Sequence, residues 1–99
     1  MLQFLIQYKV KPDAVGDQEA AVHAFLDGIR SIGDPEAYYG SFKAEDGVSY
    51  THVARFETEA ALKRFQSQPH FKAFADGMRE RCVEGPNATR LALVDETKV

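Results

Sequence analysis

The segment formed by residues 55–78 limits the possible folds of this chain more than any other. A strand ending at Phe56 leads into a helix whose N-cap is Thr58, since a threonine hydroxyl accepts a hydrogen bond from the first helical turn. Pro69 ends that helix and opens another, because proline is tolerated in a first turn but not in a helix interior. The apolar face of this next helix comprises Phe71, Phe74, Ala75 and Met78. A chain of 99 residues has room for one core, so any pocket must have this segment as a wall.

Two strands joined by a tight turn precede that segment. Alternating side chains predict strands over residues 36–44 and 48–56, and Asp46-Gly47 between them is a strong hairpin signal. One face of the second strand comprises Tyr50, His52, Ala54 and Phe56. Adjacent strand residues point to opposite faces, so at most one of Tyr38 and Tyr39 reaches a pocket directly.

The rest of the chain supplies one strand and one helix before the hairpin, and a last strand at the end. Residues 2–10 alternate with period two and predict the first strand, whereas residues 17–32 carry an apolar helical stripe. The final helix is expected to reach about Val83. Residues 85–87, Gly-Pro-Asn, are expected to form a turn before a strand over residues 88–94.

The resulting order, β-α-β-β-α-α-β, is that of the ferredoxin-like split βαβ fold. It predicts a single α+β domain over residues 1–99, with a four-stranded antiparallel sheet and its helices on one face. The other face would carry apolar residues such as Leu5 and Val53, which favours burial over exposure to water. A homodimer packed sheet on sheet through this helix-free face would bury them.

Charge and cysteine content limit the partners and the compartment. The net charge is −3 and there is no basic block, so neither nucleic acid nor a membrane is expected as a partner. No apolar run approaches the ~20 residues that span a bilayer. Cys82 is the only cysteine; we expect it to pack on an apolar helix face, in a reducing cytoplasm. The three histidines share no metal-ligand spacing, so no metal site is predicted.

Three segments have a familiar sequence: residues 8–12 (YKVKP), 54–62 (ARFETEAAL) and 67–74 (SQPHFKAF). Through them, nearly the whole chain resembles the antibiotic biosynthesis monooxygenase family, the small quinol-monooxygenase-like proteins of the dimeric α+β barrel superfamily. The resemblance implies a homodimeric barrel with the helices outside and a pocket between sheet and helices in each subunit. It also implies cofactor-independent oxygenation of a small aromatic, quinol- or polyketide-like substrate, although fold alone does not fix function.

The same resemblance argues against haem. Haem-degrading members of the superfamily have a tryptophan where this chain has Phe65, and an iron-ligating histidine where it has Ala75. They have an asparagine where this chain has Ile6, and tryptophan is absent from the whole sequence. We therefore expect no cofactor.

Oxygenation of a phenol or quinol without a cofactor needs a proton acceptor, hydrogen-bond partners for the anion and a dry aromatic pocket. His52 is the strongest candidate base, and Tyr50 and His70 are the other candidate catalytic residues. Each also has a structural interpretation: a buried, hydrogen-bonded histidine in the sheet or dimer interface, an ordinary strand tyrosine, and a polar residue that serves the start of a helix.

The candidate substrate-binding residues are aromatic, apolar or cationic side chains near the same pocket. They are Tyr38, Arg55, Phe65, Phe71, Phe74 and Met78. The phenylalanines and the methionine could equally be core, since an aromatic stripe at helical spacing is usually core. Arg55 could instead pair with a nearby acid, and Tyr38 could be a strand aromatic at the sheet rim.

Two functions remain open beside the weaker alternative of a purely structural dimer, and with them the question whether the chain is an enzyme. The first is a cofactor-independent monooxygenase; it predicts a closed, dry, aromatic pocket of several hundred Å³ beside His52. The second is a non-catalytic dimeric barrel that binds a small apolar ligand or serves an accessory role. It rests on the missing tryptophan and on the absence of a paired acid and base.

Overall fold

The computed structural model describes residues 1–98 and has one four-stranded antiparallel sheet with three helices on one of its faces. The strands are β1 (Leu2–Val10), β2 (Ala37–Lys43), β3 (Ser49–Phe56) and β4 (Cys82–Leu91), in the order β2-β3-β1-β4. The helices are α1 (Val15–Ile32), α2 (Glu59–Gln66) and α3 (Pro69–Arg81), with a short 3-10 helix at Pro12–Ala14. The predicted ferredoxin-like α+β fold is therefore confirmed.

Local sequence signals define the ends of the helices. The Thr58 hydroxyl accepts a hydrogen bond of 3.1 Å from the backbone N–H of Ala61, so it caps α2 as predicted. Pro69 is the first residue of α3. Gly33 follows α1 in the left-handed region, with φ of 64°, and its N–H donates to the carbonyl of Ile29. That conformation strains residues with a Cβ, which explains the glycine at this helix end.

The sheet separates its two sets of side chains as the alternation predicts. Even-numbered residues of β1 and β3 point toward the helices, and Val10, Tyr50, Ala54 and Phe56 are all buried there. The largest apolar cluster joins this sheet face to Phe25 of α1 and to α2. The space between sheet and helices is therefore the only core formed by the described residues.

The end of α3 and the start of β4 differ from the sequence prediction. The helix stops at Arg81, and Cys82 is the first residue of β4 rather than part of a helix face. The expected turn at residues 85–87 is an irregular part of the same strand, because both sides of it pair with β1. The strand ends at Leu91, three residues before the predicted end.

Backbone geometry explains how β4 accommodates this irregularity. The pairing with β1 shifts between Gln7 and Lys9, opposite Gly85 and Pro86. Gly85 has φ of 75°, and a Cβ there would lie only 2.7 Å from the carbonyl oxygen of Gln7. Glycine permits that conformation and close approach, and proline, which has no N–H to donate, is tolerated at a bulge. Residues 85–87, which the sequence predicts to be a turn, therefore form a bulge within β4.

The helix-free face of the sheet is apolar at several positions. Leu5 and Val53 are direct cross-strand partners on it, as the sequence predicts. Tyr38, Phe42 and Leu91 share that face by register and are 48%, 54% and 40% exposed. Burial of this face in a homodimer stays a prediction. Within residues 1–98, none of the helices is long and apolar enough to cross a bilayer.

Candidate functional site

A cavity of about 310 Å³ lies between the inner sheet face and the helices α2 and α3. We call it the aromatic chamber. Its lining residues are Phe4, Ile6, Phe25, Tyr39, Ala54, Phe56, Leu62, Phe65, Gln66, Phe71, Phe74, Ala75, Met78, Pro86 and Ala88. The predicted wall of Phe65, Phe71, Phe74 and Met78 is therefore present, and it belongs to the segment that most constrains the fold.

Ring packing keeps the chamber walls in place. Phe25 is stacked on Phe74, with centroids 4.5 Å apart and planes at 8°, and meets Phe65 edge to face at 5.8 Å. Tyr39 is stacked against Phe65 at 5.6 Å. Such pairs are stabilising beyond the area they bury. The chamber is therefore a gap among aromatic rings that already pack against one another, suited to a flat apolar ligand.

His52 lies directly behind the chamber wall. Its side chain is fully buried, and both ring nitrogens have tyrosine partners: Nδ1 is 2.7 Å from the Tyr39 hydroxyl, and Nε2 is 2.8 Å from the Tyr8 hydroxyl. The ring of Phe74 lies 5.8 Å from the imidazole. Of these three hydrogen-bonded residues, only Tyr39 lines the chamber. His52 can therefore act on a ligand only through Tyr39.

The hydrogen bonds continue away from the chamber to a cation. The Gln18 amide nitrogen donates to the Tyr8 hydroxyl at 2.7 Å, and it also lies 3.3 Å from the sulfur of Met78. The Arg81 Nε–H donates to Gln18 Oε1 at 2.6 Å. We call the five residues Arg81, Gln18, Tyr8, His52 and Tyr39 the polar chain. It joins α1, α3 and three strands of the sheet.

Burial sets the charge state of the polar chain. Loss of hydration lowers the pKa of His52 to about 4, so its imidazole is neutral near pH 7. Burial likewise raises the pKa of Tyr8 and of Tyr39 well above the ordinary range for a phenol. Both tyrosines therefore keep their protons. Arg81 is the cationic member of an otherwise neutral chain.

Tyr50, a candidate catalytic residue, lies beside the polar chain but outside the chamber lining. Its ring is stacked on Tyr8 at 5.3 Å, and its hydroxyl donates to the Glu19 carboxylate at 2.7 Å. Burial, followed by that hydrogen bond, raises the pKa of Tyr50 to about 12. The structure thus gives Tyr50 a packing contact with Tyr8 and a hydrogen bond that points away from the chamber.

His70 is not among the residues that line the chamber. It lines a second cavity of about 310 Å³ together with Arg64, Asp34 and Gln68. Its ring is 5.7 Å from that of Phe25, and its Nε2 is buried without a hydrogen-bond partner among the described residues. The structure therefore separates His70 from His52 and does not bring the two histidines together at one site.

Tyr38 and Arg55 lie on the helix-free face. They are cross-strand partners there, and the Arg55 guanidinium carbon is 5.3 Å from the centroid of the Tyr38 ring. Neither residue lines the chamber, so the structure does not bring these two predicted ligand contacts to it. Tyr39 takes that place, because it pairs with Ala54 and shares the inner face. Because adjacent strand residues point to opposite faces, Tyr38 and Tyr39 cannot both face the chamber.

Of the five members of the polar chain, sequence reasoning named only His52 as a site residue; it chose Tyr38 in place of Tyr39 and missed Tyr8, Gln18 and Arg81. A signal for Gln18 does exist, because it precedes Val22 and Phe25 by four and seven residues and so belongs to the apolar stripe of α1. A polar side chain in such a stripe is buried and needs partners. Tyr8 shares its strand face with Leu2 and Val10. Arg81 offers no comparable signal.

The lining of the chamber does not fit haem. Phe65, Ala75 and Ile6 all line it with apolar side chains, at positions where the resemblance to haem-degrading proteins would place a tryptophan, an iron-ligating histidine and an asparagine. The nearest imidazole, that of His52, has both nitrogens engaged by tyrosines. No group of three or more potential metal ligands occurs within residues 1–98.

Comparison with known proteins agrees with this architecture. The family model for antibiotic biosynthesis monooxygenases matches residues 1–77. Among solved structures, a crystal structure of an antibiotic biosynthesis monooxygenase has 16% identity and a TM-score of 0.83, covering 96% of this chain and 100% of that one. Rv0793 from Mycobacterium tuberculosis has 20% identity and a TM-score of 0.83, covering 98% of each chain.

A third similar structure is that of SnoaB, described as a cofactor-independent oxygenase from Streptomyces nogalater. It has 16% identity and a TM-score of 0.78, covering 99% of this chain and 97% of that one. At such identities the likeness to all three structures shows a shared fold. A comparison with curated protein sequences finds no match.

Proposed function

Because the chain belongs to the antibiotic biosynthesis monooxygenase family, we propose that it is a cofactor-independent monooxygenase of a small aromatic, quinol-like substrate. The observation that carries the proposal is a chamber of about 310 Å³, walled by aromatic rings, with the hydrogen-bonded Tyr39–His52 pair at its wall. The fold shared with SnoaB, a cofactor-independent oxygenase, supports the same class of reaction.

The proposed reaction uses dioxygen as its only co-reactant. A bound phenolate transfers one electron to dioxygen, and the two radicals combine into a carbon–oxygen bond. Protonation gives a hydroperoxide, which loses water and leaves a quinone. One oxygen atom enters the product; the other leaves as water with the phenolic proton and the hydrogen of the attacked carbon. The substrate loses four electrons, and dioxygen gains them.

The chain's own residues would bind and orient the substrate rather than react covalently. Phe25, Phe65, Phe71 and Phe74 would hold an aromatic ring and shield the side of it that faces them from water, whereas the chamber is open to solvent at the exposed Ala75 and Ala88. Tyr39 would hydrogen-bond the phenolic oxygen, and His52 would fix the position of the Tyr39 hydroxyl. A pKa of about 4 makes His52 a weak base near pH 7, so we assign it a positioning role in place of proton abstraction.

A second candidate function is ligand binding without turnover. The observation in its favour is that no lining residue of the chamber is a carboxylate, an amine or a free imidazole. Such a protein would bind aromatic compounds and consume no oxygen. A thermal-shift screen run beside oxygen measurements separates the two functions, because a ligand at 100-fold its Kd stabilises the folded state by roughly 2.7 kcal/mol.

Oxygen uptake with electron-rich phenols tests the proposal. The protein, dialysed against a chelator, would be given α-naphthol and naphthalene diols while dissolved oxygen is recorded. We expect uptake with at least one of them. Ala75→Trp should reduce the rate at least tenfold, because Ala75 lines the chamber from α3 and a bulky side chain there would occupy it. Uptake that Ala75→Trp leaves unchanged would contradict the proposed site.

Ala73→Trp is the matched control for that experiment. Ala73 and Ala75 are both exposed and lie two residues apart on α3, but only Ala75 lines the chamber. Ala73→Trp should therefore leave the rate unchanged. If the two variants lose activity equally, the loss reflects α3 as a whole rather than occupation of the chamber.

We further propose that the chain is a homodimer, joined through the helix-free face, in the cytoplasm. The exposed Tyr38, Phe42 and Leu91, together with the Leu5–Val53 pair, support this interface. The lone cysteine, Cys82, fits a reducing compartment. Sedimentation at micromolar concentration should show about twice the chain mass of 11.1 kDa, and a monomer alone would contradict the interface.

A further inference from the structure

The polar chain behind the aromatic chamber has a direction that its chemistry determines. Its four links are each between 2.6 and 2.8 Å long and run from Arg81 through Gln18, Tyr8 and His52 to Tyr39. Three of its members, Gln18, Tyr8 and His52, are buried. Each buried donor and acceptor therefore needs a partner within the chain, which restricts where every hydrogen atom can be.

The end at Arg81 fixes the first two links. A guanidinium can only donate hydrogen bonds, so the Gln18 atom that faces Arg81 must be the carbonyl oxygen Oε1. The amide nitrogen of Gln18 then faces Tyr8 and donates to its hydroxyl oxygen. The orientation of the buried Gln18 amide is thus fixed by Arg81, whose guanidinium cannot accept a hydrogen bond.

Tyr8 transmits this orientation to His52. Its oxygen already accepts from Gln18, and the acceptor within reach of its single hydroxyl hydrogen is Nε2 of His52, at 2.8 Å. The opposite arrangement would leave a buried hydroxyl hydrogen without an acceptor, which typically costs more than the bond itself contributes. The neutral imidazole must then carry its hydrogen on Nδ1 and donate it to the Tyr39 oxygen.

Tyr39 is therefore the end of a chain in which every member donates in the same direction. Its oxygen accepts from His52, and its own hydrogen has no acceptor among the described residues. Tyr39 is the member of the polar chain that lines the chamber, so a ligand bound there is the acceptor that we assign to this hydrogen. Aligned hydrogen bonds polarise one another, and a cation at the far end adds to that polarisation.

We propose that the chamber selects ligands with an anionic oxygen, a phenolate over the neutral phenol, and that Gln18 and Arg81 are positioning residues that make Tyr39 a donor. This inference rests on the proposed function for the location of the ligand, but it concerns the form in which the ligand binds. A hydrogen bond to a charged acceptor is about twice as strong as one between neutral groups. We therefore expect the anion to bind about tenfold more tightly than the neutral phenol.

para-Nitrophenol is a suitable probe, because its phenolate is yellow and its electron-poor ring resists oxygenation. The probe is held at the pH where half of it is ionised in free solution, and wild-type protein is added in excess. The proposal predicts that the phenolate absorbance rises as the probe binds. An absorbance that stays constant or falls while the probe is bound would overturn it.

Gln18→Glu should reverse the direction of the chain with little change in shape. The new carboxylate would accept from Arg81 and also from the hydroxyl of Tyr8. Tyr8 would then accept from His52, and Tyr39 would donate to His52 and present only its oxygen to the ligand. The variant should favour the neutral phenol, so the phenolate absorbance should fall on binding. A variant that raises it as the wild type does would refute the directional chain.

Two further variants isolate the contribution of direction. Ala20→Glu adds the same charge to α1 at an exposed position and should keep the wild-type rise in absorbance. Gly77→Ala keeps all charges but would place a Cβ 2.5 Å from Nη1 of Arg81, and the flexible guanidinium would have to move. It should weaken the preference for the anion severalfold. An unchanged preference would mean that Arg81 does not contribute to the direction of the polar chain.

The outcomes also separate this inference from the oxygenase proposal. A rise in phenolate absorbance without oxygen uptake from any electron-rich phenol supports the directional chain and contradicts the oxygenase. Oxygen uptake that Ala75→Trp abolishes, combined with no preference for the anion, supports the oxygenase and overturns the directional chain. If para-nitrophenol binds neither wild-type protein nor Ala75→Trp, the polar chain does not select phenolates, and its proposed role in ligand selection is overturned.

Discussion

The aromatic chamber and the polar chain occupy the same layer between sheet and helices, but they fill it in different ways. In the chamber, aromatic rings contact one another and leave about 310 Å³ open. Along the polar chain, the buried side chains of Gln18, Tyr8 and His52 each have hydrogen-bond partners. One region has unused space, whereas the other pairs the polar groups of its three buried members and leaves the hydroxyl hydrogen of Tyr39, at the chamber, without an acceptor.

This difference indicates how a small domain can combine a binding site with a rigid support. Apolar rings tolerate an opening among them, because they carry no polar group that needs a partner. An unpaired group within a buried polar network is costly, so the chain is paired from Gln18 to His52 and leaves a donor without an acceptor only at Tyr39, on the chamber wall. The two regions meet at Tyr39, Phe74 and Met78.

The largest effect is expected in the chamber wall. Phe25 is 2% exposed and contacts five neighbouring rings, so Phe25→Ala should lower the free energy of unfolding by about 3–5 kcal/mol. Urea unfolding measures this change. Ile32→Ala, at a position 48% exposed on the same helix, should change stability by roughly 0.5 kcal/mol or less. Similar losses in the two variants would mean that Phe25 does not hold the wall together.

The next effect concerns the polar chain and depends on pH. His52 has a pKa of about 4 when folded, against an ordinary value of 6.5 when unfolded. Between these values the unfolded chain binds more protons than the folded one, so stability is greatest above pH 6.5 and falls as the pH drops toward 4. The expected loss is on the order of 3 kcal/mol.

His52→Gln isolates that contribution, because glutamine can donate and accept but does not titrate. Urea unfolding between pH 5 and pH 6.5 should show a smaller pH dependence in this variant than in the wild type. The carboxylates of Glu19, Asp34 and Asp46, whose pKa values are lowered by hydrogen bonds, lose their contributions only at more acidic pH. Equal slopes in the two proteins would contradict a buried neutral His52.

A smaller effect is expected where the two regions meet the ligand. Tyr39→Phe keeps the ring stacked on Phe65 and removes the hydroxyl that faces His52. para-Nitrophenolate should bind about tenfold more weakly to this variant, which corresponds to roughly 1.4 kcal/mol. Isothermal titration measures the change. Tyr38→Phe, on the helix-free face, is the matched control and should bind the probe as the wild type does. Equal weakening in the two variants would mean that the hydroxyl of Tyr39 makes no specific hydrogen bond to the probe.

The smallest effect is expected at Met78. Its sulfur lies 3.3 Å from the amide nitrogen of Gln18, and its side chain lines the chamber. Met78→Leu conserves volume and removes only a weak acceptor, so the loss of stability should be about 0.5–1.5 kcal/mol, measured by thermal unfolding. A larger loss would mean that the sulfur is an essential partner of Gln18 and that the polar chain extends into the chamber wall.

The fold could be predicted because its signals are local. The alternation of β1, the turn at Asp46-Gly47, the Thr58 cap and Pro69 each act within a few residues and were confirmed. The bulge around Gly85 was read as a turn, since glycine followed by proline is compatible with both. Only the pairing with β1, more than seventy residues away in sequence, decides between them.

The site could be predicted only in part, for the same reason. The helical wall of the chamber follows from the spacing of Phe71, Phe74 and Met78 along α3. The polar chain depends on contacts between Tyr8 and His52, 44 residues apart, and between Gln18 and Arg81, 63 residues apart. No local pattern encodes such pairs. The choice of Tyr39 over Tyr38 depends on strand register, and a shift of one residue reverses it.

Turnover of a phenol under isotopically labelled dioxygen tests the central claim most directly. In a single turnover of α-naphthol by the chelator-treated protein, mass spectrometry of the quinone counts the labelled atoms. The account predicts one labelled oxygen in each quinone formed, and at least tenfold less quinone with Ala75→Trp. A product without label, or equal product from Ala75→Trp and wild type, would contradict a monooxygenase that works in the aromatic chamber.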